Sequence, residues 1–214
     1  MRFILLALLA AISAACTHGS VGYRSTTYTE VPVKPMSQML AEALGTGYTV
    51  QITEGPDSEL KLPGSGVQFG SYAPLGNSNW DFEVAVAFQK YSNIPYNIRY
   101  QKGGTSGSFS FTYDVTGSTL DLDFGYRWRW LRPYAGLRRD TYVMSSIDPF
   151  FYNTTTISNL FGIGGLDITI PVSSGVGIAL RGDYATCLTK DSTVKSADTI
   201  TAQLNLIWGL DKRP

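Results

Sequence analysis

From Gly47 onward, apolar and polar positions alternate with period two, the spacing of β-strands that have one apolar face. The clearest run is residues 120–130. Leu120, Leu122, Phe124, Tyr126, Trp128 and Trp130 share one face, and Asp121, Asp123, Gly125, Arg127 and Arg129 the other. Trp80, Phe82, Val84, Val86 and Phe88 alternate with Asp81, Glu83, Ala85, Ala87 and Gln89. Val176, Ile178, Leu180 and Tyr184 repeat the pattern, as do Ile200, Ala202, Leu204, Leu206, Trp208 and Leu210. The apolar stretches last about 9–11 residues, which is what a tilted strand needs to cross a bilayer.

The pattern predicts eight strands, near 47–54, 66–74, 79–101, 107–130, 134–145, 156–170, 175–187 and 197–210. Connections near 75–78, 131–133 and 171–174 are short, whereas those near 55–65, 146–155 and 188–196 are longer. Short turns at one end and long excursions at the other belong to an antiparallel up-and-down barrel spanning an outer membrane. The hairpin around 102–106 should project beyond the bilayer. Trp80 would begin an upward strand, and Trp128, Trp130 and Trp208 would end downward ones. All four then form an aromatic girdle at the periplasmic rim, where ring faces meet lipid and N–H groups meet water.

Three places break the pattern. Phe161 and Ile163 would face lipid, followed by Leu166, Ile168 and Ile170, so a bulge is expected at Gly164-Gly165. Parity slips between Tyr113 and Leu120, near Gly117. Arg139 shares the parity of Ala135, Leu137, Thr141 and Val143, which points it at lipid unless a local bulge turns it inward or the register there differs. A cation at mid-bilayer costs roughly 2–4 kcal/mol.

The N-terminus reads differently. Arg2, the apolar run Phe3–Ile12 and the small residues Ser13-Ala14-Ala15 form a signal peptide over 1–15, too short for a transmembrane helix. Cys16 stands where a bacterial lipoprotein carries its lipidated cysteine, and simple cleavage after Ala15 is an equal alternative. Residues 16–46 read as a periplasmic linker, with a short helix near 35–44. Pro35 suits its first turn, Gly45 its C-terminal cap, and Met36, Met39, Leu40 and Leu44 one face. The barrel then occupies 47–210.

Composition narrows the classes. Seventeen Lys+Arg balance seventeen Asp+Glu, which excludes a basic nucleic-acid binder. Charged residues are 16% against a typical ~25%, aromatics 13%, and Gly numbers 22. Mean hydropathy is −0.02, which excludes a bundle of transmembrane helices.

The strand charges point inward on this register: Glu83, Asp121, Asp123, Arg127, Arg129, Arg138, Asp140, Asp167, Arg181 and Asp183. An eight-stranded barrel has an interior just wide enough for side chains to fill. A plugged, salt-bridged lumen is expected, with Glu83 close to Arg127; a narrow conduit for small solutes is the alternative. Chemistry is sparse. The one histidine, His18, falls in the linker, so no Ser/His/Asp set can form inside the barrel. Asp121 and Asp123 share a face, but arginines nearby neutralise rather than tune them. Two cysteines and one histidine make no metal motif, and no cofactor fingerprint is present. The expectation is a non-enzyme without cofactor or metal. Pro149-Phe150-Phe151-Tyr152, and Tyr96, Arg99, Tyr100 and Lys102, are candidate loop contacts or an upper aromatic girdle.

Arg132-Pro133-Tyr134-Ala135-Gly136-Leu137 resembles the Pro-Tyr-x-Gly opening of the fifth strand in the small outer-membrane β-barrels of the OmpA-like, OmpX-like and opacity types. Phe161-Gly162-Ile163-Gly164-Gly165-Leu166-Asp167 is similar to that family's Gly-rich sixth strand, and Ile200–Trp208 to its closing strand. Here Trp208 is followed by six further residues, Gly-Leu-Asp-Lys-Arg-Pro, where the family usually ends on an aromatic. The resemblance covers roughly 47–210 and implies a barrel in a Gram-negative outer membrane. Its partners would be lipopolysaccharide and phospholipid, the barrel assembly machinery and an unidentified molecule outside the cell. A soluble ligand-binding barrel, the rival fold, would invert the faces, apolar inside and charged outside.

Overall fold

Eight long antiparallel strands pair edge to edge until the last meets the first. A computed structural model describes residues 18–76, 78–146, 154–189 and 194–209. The elements are β1 (His18–Pro32), α1 (Met36–Leu44), β2 (Thr49–Glu54), β3 (Leu60–Pro74), β4 (Trp80–Tyr91), β5 (Ile94–Lys102), β6 (Thr105–Tyr126), β7 (Leu131–Ser146), β8 (Thr154–Ser173), β9 (Val176–Cys187) and β10 (Val194–Trp208). The ring runs β1-β3-β4-β6-β7-β8-β9-β10, and β10 returns to β1. Closure satisfies the backbone donors and acceptors that an open sheet would expose to lipid.

The strand count is the expected one, but one member is not. Residues 18–32 are a barrel strand rather than a linker, paired with β3 on one side and β10 on the other. Hydropathy conceals it because both faces are hydroxyl-rich. Tyr23, Ser25 and Thr27 point out; Arg24, Thr26 and Tyr28 are buried. Residues 49–54 stand outside the ring as β2. The expected strand over 79–101 divides at Ser92-Asn93, and only β4 belongs to the wall. β2, β5 and the first residues of β6 form a three-stranded sheet that projects from the long-loop end.

α1 is the expected helix, opened by Pro35 and closed by Gly45 in the left-handed region at φ 104°, its N–H donating to Ala41 O at 3.2 Å. It lies at the long-loop end, not at the end where the chain enters the barrel, because β1 has already carried the chain across. Met36 and Leu40 pack against the inner face of the projecting sheet. Lys34 Nζ donates to Glu42 at 2.8 Å and holds that exposed carboxyl below its ordinary range.

The interior has two storeys. Nearer the short turns it is charged. Nearer the long loops it is apolar and aromatic, with Tyr28, Leu62, Tyr91, Tyr142, Phe161 and Ile163 buried together. Tyr142 sits between Tyr28 and Tyr91, ring centroids 4.7 and 5.4 Å away. This upper layer accounts for two of the breaks in alternation. β8 keeps continuous register from Thr154 to Pro171, so there is no bulge at Gly164-Gly165, and Phe161 and Ile163 face inward, not toward lipid. β6 likewise keeps register through Gly117. Its inward face changes from carboxylates to Val115 on entering the apolar storey, which mimics a slip in parity.

Arg139 does point outward, without a bulge, and donates to Ser158 Oγ at 3.2 Å. Its direct cross-strand neighbours are Leu120 and Leu160, but its cost is contained because the next outward row toward the long loops is hydroxylic: Ser118 pairs with Thr141, and Thr141 with Ser158. On β6–β8 Arg139 therefore lies at the edge of the apolar surface, next to this hydroxyl row. Arg139→Leu should change stability by less than about 1 kcal/mol, whereas Leu137→Arg, two residues deeper, should cost roughly 2–4 kcal/mol. Urea unfolding in phospholipid vesicles would measure both.

Candidate functional site: the lumen and its short-turn mouth

Inward positions on successive strands converge because alternate residues of every stave face the axis. Three arginines with 3% exposure or less carry the lumen. Arg132 donates to Asp81 at 2.6 Å, Asp123 at 2.7 Å, Asp167 at 2.9 Å and Glu83 at 3.4 Å. Arg138 grips Asp121 at 2.7 Å and Asp183 at 2.7 Å, with Thr201 at 3.1 Å. Arg181 bonds Glu83, Asp123 at 2.7 Å and the Tyr134 hydroxyl at 2.7 Å, its guanidinium 3.8 Å from the Tyr134 ring centre. Arg24 adds a bond to Asp121 at 3.0 Å. The planar forks of Arg132, Arg138 and Arg181 each serve two or more carboxylates, which ammonium groups could not match.

Eight of the ten charges expected in the lumen are buried inside it, and Arg127 and Arg129 stand at its mouth. Glu83, Asp121, Asp123, Arg138, Asp167, Arg181 and Asp183 belong to the network. Asp140 is buried above it and accepts from the Tyr142 hydroxyl at 2.9 Å instead of from an arginine. Arg127 sits at the mouth and pairs with Asp81 at 3.2 Å, not with Glu83. Arg129 differs from the other nine. It is exposed in the β6–β7 turn, because the strand ends at Tyr126 and the alternation no longer governs its direction.

Three members of the network are not among the charges expected in the lumen. Asp81 shares Glu83's parity, and that signal was available. Arg132 falls in the expected 131–133 turn, and Arg24 in the expected linker. Each becomes inward only when β7 is seen to begin at Leu131 and β1 at His18.

Of the candidate loop contacts, Tyr96 is buried in the projecting sheet, where burial pushes its phenol up to about 12. Its ring stacks on Phe111, centroids 5.1 Å apart. Tyr100 is half-buried and Arg99 exposed on the sheet's outer face. Lys102 Nζ lies 4.5 Å over the Tyr48 ring. Phe150, Phe151, Tyr152 and Cys16 lie outside the described residues, as does the expected signal peptide.

The outside is apolar. Val67, Phe69, Phe88, Phe124, Leu180, Ile200 and Leu204 are each about half exposed around the wall, and charged partners line the inside. Trp80, Trp128, Trp130 and Trp208, 47–61% exposed, stand together at the short-turn end. A soluble barrel would have these faces exchanged. The chain has the architecture of a small outer-membrane β-barrel.

No protein-family model matches the barrel, and no curated protein matches it in sequence. Solved structures are similar in fold. Neisserial surface protein A shares 12% identity at a TM-score of 0.49, over 90% of this chain and 97% of that one. The attachment invasion locus protein Ail of Yersinia pestis shares 12% at 0.42, over 89% and 97%. The outer membrane protease OmpT of Escherichia coli shares 9% at 0.40, over 89% and 95%.

At the short-turn mouth the barrel holds a cavity of about 370 Å³. Tyr72, Asp81 and His18 are its buried lining; Trp80, Trp128, Arg127 and Arg129 stand around its opening. His18 is thus the first residue of β1 and part of the mouth, not of a linker.

Proposed function

We propose that this protein is a non-enzymatic barrel of a Gram-negative outer membrane. It contributes to envelope structure and meets molecules outside the cell through its projecting sheet. One observation carries the reading. A continuous layer of Arg24, Arg132, Arg138 and Arg181 with their carboxylates fills the lumen cross-section at 3% exposure or less for each arginine. Six carboxylates meet five arginines, counting Arg127, so the plug is close to neutral and its members are held by partners. Asp121 and Asp123 are each gripped by two arginines, which suits structure and not proton transfer.

The projecting sheet supports the second half of the reading. Its outer face, with Thr49, Gln51, Arg99, Gln101, Ser106 and Ser108, forms a shallow polar groove of about 550 Å³. The outer edge of β2 pairs with no other strand among the described residues, and such an edge offers main-chain donors and acceptors to a partner.

Planar-bilayer recording tests the plug. The expected result is no reproducible conductance steps. Steps that change with Asp123→Asn or Arg181→Gln would overturn the plugged reading in favour of a conduit for small solutes, for which the mouth cavity would be the vestibule.

A further inference from the structure

The β6–β7 connection is a two-residue hairpin loop. Trp128 N donates to Leu131 O at 2.8 Å and Leu131 N to Trp128 O at 3.0 Å, which leaves Arg129 and Trp130 at the tip. Arg129 has φ 56°, and among the described residues it is the one non-glycine in the left-handed region. Loops of this size place Gly at such positions because a side chain there is strained. The neighbouring β8–β9 turn follows that rule with Gly175 at φ 76°. Strain retained at a turn that glycine would relieve points to a use for the side chain.

That side chain borders the mouth cavity, and no hydrogen bond or ion pair engages its guanidinium among the described residues. The other charges there are accounted for. Asp81 is shared between Arg127 at 3.2 Å and Arg132 at 2.6 Å, so the single lining carboxylate is neutralised twice over. The lining is left net cationic, with the hydroxyl of Ser78 and the amide of Asn79 beside it. Its volume falls within the roughly 300–1,000 Å³ of small-ligand sites. Trp80 and Trp128 flank it, and exposed tryptophans set the height of the membrane–water boundary. That is the height of phospholipid phosphates.

We propose that this mouth is a phosphate-binding site in which Arg129, held out by its strained turn, and Arg127, braced by Asp81, receive a phosphate mono- or diester. The phosphate is carried by a phospholipid headgroup of the facing leaflet or by a free periplasmic phosphate compound. The cavity and its charge stand on their own; the lipid source alone rests on the membrane reading above. Arginine forks suit phosphate oxygens, and charge-assisted bonds in a half-enclosed site are the strong ones.

The test uses the full-length barrel folded in an uncharged maltoside detergent. Inorganic phosphate and glycerol 3-phosphate are titrated while tryptophan fluorescence is followed. Separately, nanodiscs containing phosphatidylglycerol are examined by native mass spectrometry for retained lipid. The deciding variant is Arg129→Gly. Glycine is at home at φ 56°, so the urea midpoint should hold or rise while phosphate affinity falls about tenfold or more, the loss expected for a charged hydrogen-bond donor. Arg129→Lys should retain an intermediate affinity. Retained lipid without binding of soluble phosphate identifies the headgroup as the source, and the converse identifies a free compound; either supports the site. If the unsubstituted barrel binds neither, or Arg129→Gly binds as tightly as it does, the proposal is overturned.

Discussion

Arg132→Ala should destabilise the folded barrel by about 3–5 kcal/mol, the loss typical of removing one partner from a buried ion pair. The value belongs at the upper end here. Arg132 is fully buried and serves four carboxylates, Asp81, Glu83, Asp123 and Asp167. Its removal leaves Glu83, Asp123 and Asp167 to share Arg181, and Asp81 to rely on Arg127. The guanidinium also packs between the Tyr72 and Tyr134 rings, 5.2 and 5.4 Å from their centres, so packing is lost with the charge. Arg132→Lys should recover only part of the loss, because an ammonium has no fork to span four acceptors. Urea unfolding in vesicles, read by tryptophan fluorescence, gives the difference directly. A loss under about 1 kcal/mol would mean that the lumen solvates its carboxylates without Arg132.

Gly136→Val should be comparably damaging for a different reason. Gly136 lies where β6 and β7 approach, and a Cβ there would sit 2.6 Å from Asp123 Cα and closer still to the Leu122 carbonyl oxygen. Both obstacles are main chain of the paired strand, so neither can swing aside. The wall must part between two staves that carry Asp121, Asp123 and Arg138. Overpacking ordinarily costs about 1–3 kcal/mol, and here the displaced strand also disturbs the ion network. The expected result is a barrel that folds poorly, read as loss of the heat-modifiable band on gels. Gly164→Ala is the matched control. A Cβ at Gly164 meets nothing within 4 Å, so alanine should be neutral or stabilise by up to about 1 kcal/mol through reduced chain entropy.

These expectations separate what residue order discloses from what it hides. Alternation in β4, β6, β9 and β10 was legible because both faces have strong and opposite character, as with Leu122 against Asp121 and Leu204 against Gln203. The Trp residues at one rim were legible because tryptophan at a strand end is informative without knowledge of the partner strand. β1 was not, since Ser25 and Thr27 outside differ little in hydropathy from Thr26 within. Period two was present in the backbone but absent from the chemistry. Phe161 departs from its expected direction for the converse reason: a large apolar residue on a membrane strand ordinarily meets lipid, yet the upper lumen is itself apolar.

From residue order alone follow the all-β class, the up-and-down strands, the inversion of apolar and charged faces and the single level of the tryptophans. All are properties of one strand at a time, set by alternation and by side-chain hydration. Tertiary structure decided which eight segments form the ring, because closure depends on register between strands remote in sequence, such as β1 and β10. It also decided that Arg24, Arg132, Arg138 and Arg181 form one plug, since their carboxylates come from different staves and meet only across the lumen. And it placed Arg129 outside that plug, in a turn whose geometry is set by the two strands it joins.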